Sequence, residues 1–168
     1  MLKVFITGEP GVGKTTIFSF LINELKGKNF RIAGFYCPEV RERGKRIGFE
    51  IVDITTGEKD WLAKENAEGS IKIGKYTVME ENATRIANIV AKNMDSADIL
   101  AIDEIGPMEL SINSIKELIN KMLNSDKPLI AVLHRKQKAP SGGKVYVVTL
   151  SNRNSIKYEI LNYILNNI

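Results

Sequence analysis

The 168-residue chain has one cysteine, Cys37, and one histidine, His134. A lone cysteine excludes an internal disulfide framework, and one Cys with one His cannot build a Cys/His zinc cluster. Its longest apolar runs, such as ILAI and LIAVL, fall far short of the ~20 residues that a membrane-spanning helix needs. There is no internal repeat and no low-complexity segment. No basic n-region with a small-residue cleavage site precedes the first strand pattern. These absences leave a cytoplasmic location without membrane contact as the expectation. Acidic residues are slightly outnumbered, 20 against 24 Lys and Arg, for a formal charge of +4. That balance suits a polyanionic small ligand and by itself argues little for nucleic acid. The length suits one α/β domain spanning 1–168.

What is present is a regular alternation of patterns. LKVFIT is a short apolar run, and Ile17, Phe18, Leu21, Ile22 and Leu25 form a helical stripe over 14–26 that Gly27 closes. RIAGFYC at 31–37 predicts a second strand. RIGFEIVDI at 46–54, then WLAKE and IKIGKYTV, are separated by TTGEKD and EGS and predict consecutive hairpins. From Glu80 the period becomes helical through Ala83, Ile86, Ala87, Val90 and Met94. DILAID is a buried strand and SINSIKELINKMLNS a helix. PLIAVL and KVYVVT are two further strands, and 155–168 is a closing helix. The expected fold is therefore α/β, a mostly parallel sheet with helices on both faces and a β-hairpin insertion around 46–78.

Between the first strand and the first helix lies GEPGVGKTT. Gly8, four residues, then Gly13, Lys14 and Thr15 satisfy G-x-x-x-x-G-K-[ST]. Glycines let backbone N–H groups converge on phosphate oxygens, and the helix start adds its positive end. Gly8, Glu9, Pro10, Gly11, Val12, Gly13, Lys14, Thr15 and Thr16 are the expected nucleotide-binding loop. The Lys14 ammonium would reach the outer phosphates, and the Thr15 hydroxyl is a hard oxygen ligand for Mg²⁺.

ILAIDEIGPMEL sets Asp103 and Glu104 at the carboxyl end of an apolar strand, the edge where ligands bind in open α/β sheets. Asp103 suits the Walker B role on Mg²⁺. Glu104 beside it suits a base that orients and deprotonates a water. Glu109 reads either as support for this pair or as surface. DEIG also fits the D-x-x-G of switch GTPases, but the nearest guanine-reading match, Asn120-Lys121-Met122-Leu123, lacks its Asp and sits in a helix pattern.

EVRERGKRIGF gathers Arg41, Arg43, Lys45 and Arg46 on a Gly-containing turn between two strands. Such a turn can supply a guanidinium to a transferring phosphate, remain a solvated basic loop, or join HRKQKAPSGGK in touching nucleic acid. His134 ends the strand PLIAVL, either as a γ-phosphate sensor or as a structural residue. In VTLSNRNS, Asn152 or Asn154 suits a helix cap, and Arg153 could instead meet a nucleobase.

Taken together, TGEPGVGKTT, GFYCPEVRERGKRIGFEIVD, GKYTV, IDEIGPMEL and VTLSNRN, in that order, resemble a family of small P-loop nucleoside triphosphatases first associated with thermophiles. It is also called the cancer-related nucleoside triphosphatase family, and the similarity covers nearly the whole chain. The resemblance implies a RecA-like/ASCE-type P-loop fold and Mg²⁺-dependent hydrolysis of several nucleoside triphosphates to diphosphate and phosphate. It implies Lys14, Thr15, Asp103 and Glu104 as the hydrolytic set, with Arg41 and Arg46 as catalytic arginines. Members often carry Gly-Gly after EVR, where this chain has Glu42-Arg43-Gly44, so either arginine is left to approach the phosphate. Two other functions share these motifs: a small nucleotide or metabolite kinase, and a nucleic-acid-stimulated triphosphatase.

Overall fold

The computed structural model describes residues 1–168. Its elements run β1 (Lys3–Thr7), α1 (Lys14–Gly27), β2 (Ile32–Tyr36), β3 (Glu39–Glu42), β4 (Lys45–Asp53), β5 (Lys59–Glu65), β6 (Lys72–Ile73) and β7 (Tyr76–Val78). Then come α2 (Glu80–Asn93), β8 (Ile99–Ile105), α3 (Pro107–Leu110), α4 (Asn113–Leu123), β9 (Leu129–Leu133), β10 (Lys144–Val147) and α5 (Arg153–Asn167). All ten strands form one sheet, ordered β10-β1-β9-β8-β2-β4-β5-β7-β6, with β3 paired to β4. The five strands from β10 to β2 are parallel, and the remainder pair antiparallel.

The central parallel strands β8 and β9 are buried on both faces, which is why they read as unbroken apolar runs, whereas the edge strand β10 is mostly exposed. Alternation along β8 sorts its side chains between two cores. Ile99 and Ala101 pack with Leu21 and Leu25 of α1 and Ile160 and Ile164 of α5. Leu100 and Ile102 pack with Ile86 and Val90 of α2 and Ile115 and Ile119 of α4. Each such fully buried Leu or Ile contributes roughly 1.5–3 kcal/mol of burial free energy. The expected α/β class, with helices on both faces, holds. No helix is long and apolar enough to cross a membrane.

Local details differ from the sequence reading. The basic cluster does lie about a Gly-containing turn between two strands, but those strands, β3 and β4, pair with each other as a hairpin. Its turn is Arg43-Gly44, with φ of 53° and 77°. Two consecutive residues at positive φ make the tight turn that matches strand twist. The antiparallel region therefore starts at Glu39 rather than near 46, and it extends the sheet instead of decorating it. The helix expected over SINSIKELINKMLNS begins only at Asn113, after the separate single turn α3. α1 does end at Gly27, and the left-handed residue that follows it is Asn29, φ 69°. Asn152 does not cap α5 with its side chain. Its carbonyl accepts from the Thr149 N–H at 2.8 Å and its amide donates to Val147 O at 2.9 Å, tying the strand-to-helix loop together.

Candidate active site

β1 delivers the chain into the glycine-rich loop, and α1 starts at Lys14 with Gly13 as its N-cap. Gly13 has φ 104°, and a Cβ there would meet the Arg153 side chain at 3.7 Å. A residue with a side chain would be strained in this conformation, so glycine is required. No side chain caps α1 and no acidic residue occupies its first turn, which leaves its first N–H groups and positive end free for an anion. The Lys14 ammonium lies along the loop and donates to Gly8 O at 2.6 Å. Thr15 and Thr16 open the exposed side of the same turn.

The acidic pair is arranged by a bulge. Along β8 and β9, Asp103 is level with Val132 and Ile105 with Leu133, so Glu104 is an extra residue without a partner. The core assignment agrees: Ile105 packs with Leu100 and Ile102, out of phase with simple alternation. Bulges re-aim side chains in this way. Asp103 keeps the phase of Ile99 and Ala101 and faces α1, where it lies against Thr15. Glu104 turns into the cavity. Asp103 is only 6% exposed. Burial pushes its carboxyl up to about 6, a rise opposed by Thr15 and Lys14 and helped by Glu104. Burial also raises Glu104, while Lys14 and His134 oppose that rise.

These groups open onto a cavity of about 670 Å³. Lys14, Thr15, Asp103, Glu104 and His134 line one part of it, and Glu39, Arg46 and Phe49 of the β3–β4 hairpin line another. Arg46 is well fixed: its Nε donates to the Tyr76 hydroxyl at 3.0 Å, and its guanidinium lies 5.2 Å from the Phe49 ring centre. Arg41 does not line the cavity. It is exposed, donating to Glu39 at 2.6 Å and to Gly44 O at 2.9 Å. His134 is anchored by its own N–H to Ile105 O at 2.9 Å, and its Nδ1 accepts from the Lys136 N–H at 3.2 Å. The proton of the neutral ring therefore sits on Nε2.

A second hollow of about 750 Å³ adjoins the outer side of the loop, along Gly8 to Val12, and is walled by Val147, Val148 and Leu150. Arg135 lines both spaces and reaches Glu9 at 3.4 Å. Arg153 lines neither; it lies against Gly13.

Two further groups lie close to the acidic pair: Glu109, which the sequence left open between support and surface, and Cys37, which it did not mark as part of the site. Glu109 is 6% exposed, which rules out the surface reading. Its carboxyl is pushed up to about 8, first by burial and then by the charges of Glu104 and Asp103. The Cys37 thiol is raised well above its ordinary value, first by burial and then by the charges of Glu109 and Asp103. Glu39, Tyr76 and Arg135 were also missed as neighbours of the cavity. The PEVR run next to the basic cluster was the one signal for Glu39.

The chain matches the family model described as NTPase over residues 3–161. It is 68% identical to a nucleoside-triphosphatase THEP1 of Saccharolobus solfataricus over 167 residues, covering 99% of this chain and 95% of that protein. The fold superposes on a human cancer-related nucleoside triphosphatase with a TM-score of 0.84, 28% identity and full coverage of both chains (100% and 100%). THEP1 from the hyperthermophile Aquifex aeolicus gives a TM-score of 0.80 at 26% identity, covering 96% of this chain and 98% of that one. A matching model over almost the whole length, a relative at this identity and two solved folds of the same kind agree: the chain is an enzyme of the THEP1 nucleoside-triphosphatase family.

Proposed function

We propose that the protein hydrolyses the terminal phosphoanhydride bond of nucleoside triphosphates of several bases, with Mg²⁺, and that 1–168 acts as one unit. The observation that carries this reading is Glu104, bulged out of β8 beside Asp103 into the cavity that Lys14 lines. Lys14 exchanges its loop carbonyl for phosphate oxygens, and the N–H groups of Gly8 to Thr16 cradle the inner phosphates. Glu104 orients a water and takes its proton as the water oxygen bonds to the γ-phosphorus. The bond to the bridging oxygen breaks, releasing diphosphate and phosphate. Arg46, already held by Tyr76 and Phe49, neutralises charge on the γ-phosphoryl oxygens. His134 donates from Nε2 to the same group.

Thr15 and Asp103 would hold the Mg²⁺. They are adjacent hard oxygen donors, and a carboxylate as buried as Asp103 is eased by a cation. There is no cluster of three or more His, Cys, Asp or Glu suited to a metal. That fits Mg²⁺, which nucleotide sites hold by one or two side chains plus substrate phosphates. When bound, the ion polarises the outer phosphates. The hollow along Val147, Val148 and Leu150 takes the base, with Arg153 nearby. An apolar wall grips bases by area and not by edge pattern, which favours broad specificity.

Phosphate release from a panel of nucleoside triphosphates, with and without Mg²⁺ and nucleic acid, tests the reading. Glu104→Gln is expected to lower kcat by ~10²–10⁴ while nucleotide still binds. Unchanged turnover in that variant would remove water activation from Glu104. A second reading, phosphoryl transfer to a small acceptor, is favoured by a further hollow of about 320 Å³ that shares Ser19 and Tyr36 with the main cavity. Full-rate phosphate release without any acceptor counts against it.

A further inference from the structure

The hairpin that brings Arg46 to the cavity also brings a carboxylate of the wrong sign for phosphate. Glu39 lines the cavity and contacts two of the hairpin's three arginines: Arg41 Nε at 2.6 Å and Arg46 Nη1 at 3.5 Å. In a site for a polyanion, an acid so placed is unfavourable unless it does something.

We propose that Glu39 makes the site read the length of the phosphate chain: it holds Arg46 while the outermost phosphate is missing and yields it when a triphosphate fills the cavity. The proposal rests on the reading of Arg46 given above and adds a partner for it in the other half of the cycle.

The geometry supports an exchange of one contact and not a rearrangement. Arg46 is fixed by bonds that do not involve Glu39: its Nε to Tyr76, and its face against Phe49 and Tyr76 at 5.2 and 5.9 Å. Only the Nη1 contact has to yield. At 3.5 Å it is longer than the 2.7–2.9 Å of a strong charge-assisted hydrogen bond, so it is the weakest of the set. Glu39 does not lose its counter-charge in the exchange, because Arg41 stays on it at the shorter distance. That gives a role to the exposed Arg41, which does not line the cavity. Arg41 and then Arg46 hold the Glu39 carboxyl below its ordinary value, so it is charged throughout the neutral range.

The exchange depends on which phosphates are present. The loop that grips the inner phosphates follows β1, whereas Arg46 lies on β4, four places along the sheet. It enters the cavity from the wall away from the loop. A diphosphate gripped by the loop leaves Arg46 with Glu39. A γ-phosphate, doubly charged and nearer that wall, outcompetes a single carboxylate. After hydrolysis, Glu39 retrieves the arginine as phosphate leaves, which weakens the hold on product.

The test is binding of a β,γ-methylene triphosphate and of the matching diphosphate to wild type, Glu39→Gln, Arg46→Ala and the double variant. Glu39→Gln is isosteric at a partly exposed position, and its unfolding midpoint checks that the fold is kept. The ion-pair scale for such positions predicts triphosphate binding tightened about three- to fivefold, with diphosphate changed less than about twofold. KM should fall by a similar factor without a rise in kcat. In the Arg46→Ala background the gain should vanish. Equal tightening of both ligands, or a gain that persists without Arg46, would overturn the proposal and leave Glu39 as background negative charge. If Arg46→Ala alone alters neither binding nor hydrolysis, the reading of Arg46 itself fails, and the proposal with it.

Discussion

Replacing Glu109 by Gln should make the protein more stable at neutral and mildly alkaline pH. Glu109 is 6% exposed on the single turn that follows the acidic strand. In the unfolded chain its carboxyl ionises near the ordinary 4.5, and in the folded protein it keeps its proton up to about 8. Below pH 4.5 both states are protonated and the group costs nothing. Between about 4.5 and 8 folding takes up a proton, so stability falls as pH rises, by as much as ~1.4 kcal/mol per pH unit. Through the folded value the loss levels off, at a total on the order of 5 kcal/mol. Gln has the same shape and no charge to bury, so it removes this slope. At pH 5 the variant and wild type should have similar guanidinium midpoints. By pH 8 the variant should be ahead by several kcal/mol, with unchanged m-values. The measurement is made without Mg²⁺ or nucleotide, so that Asp103 and Glu104 carry their own charges. Stability curves that stay parallel from pH 5 to 8 would refute the reasoning, because they would mean that Glu109 is solvated or compensated in the folded state.

Gly34→Ala should cost more than ~4 kcal/mol or abolish soluble expression. Gly34 has φ 150° and a Cβ there would lie 1.7 Å from Ala101 O, inside the β2–β8 pairing. A wild-type melting temperature for this variant would contradict the strand order. Arg46→Ala should lower kcat/KM on the order of 10³-fold, the scale of an arginine on a transferring phosphate. Arg41→Ala should stay within a few-fold. Steady-state kinetics that reversed the two would show that the other arginine turns into the site.

What was legible in the sequence was whatever a continuous run of residues determines. The phosphate loop is nine consecutive residues between a strand and a helix, and its placement needed no distant contact. The helices on both faces followed from periodicity, since the stripes of α1, α2 and α4 and the apolar runs of β8 and β9 state their own burial; their division into two cores came from the structure. The choice between Arg41 and Arg46 did not follow, because it is made by Tyr76 on β7, thirty residues along and from another strand of the sheet. Glu109 was left open between support and surface for the same reason: whether a carboxyl after a tight turn meets water depends on what packs above it, here Cys37 from β2's end and the strand β8.

The acidic pair lies between these cases, and it shows what a motif omits. Written as Asp-Glu, it promises a metal ligand and a base side by side. On a regular strand, successive side chains point to opposite faces. With Asp103 facing α1, Glu104 would then point into the core shared by α2 and α4. A carboxylate placed there among Leu100, Ile102, Ile115 and Ile119 would be neutral or expelled, and no water could reach it. The register slip against β9 corrects this by one residue: Glu104 becomes the extra residue and turns to the cavity, and Ile105 takes the core position instead. The chemistry of the pair is written in two letters, but its geometry belongs to the pairing of β8 with β9. Deleting Glu104, the one residue between Asp103 and Ile105, should restore regular β8–β9 pairing and leave the melting temperature close to wild type while hydrolysis is lost; a large drop in melting temperature would contradict the register argument. The residue proposed as the base is therefore the extra residue itself, and this strand cannot present both acids to the cavity without it.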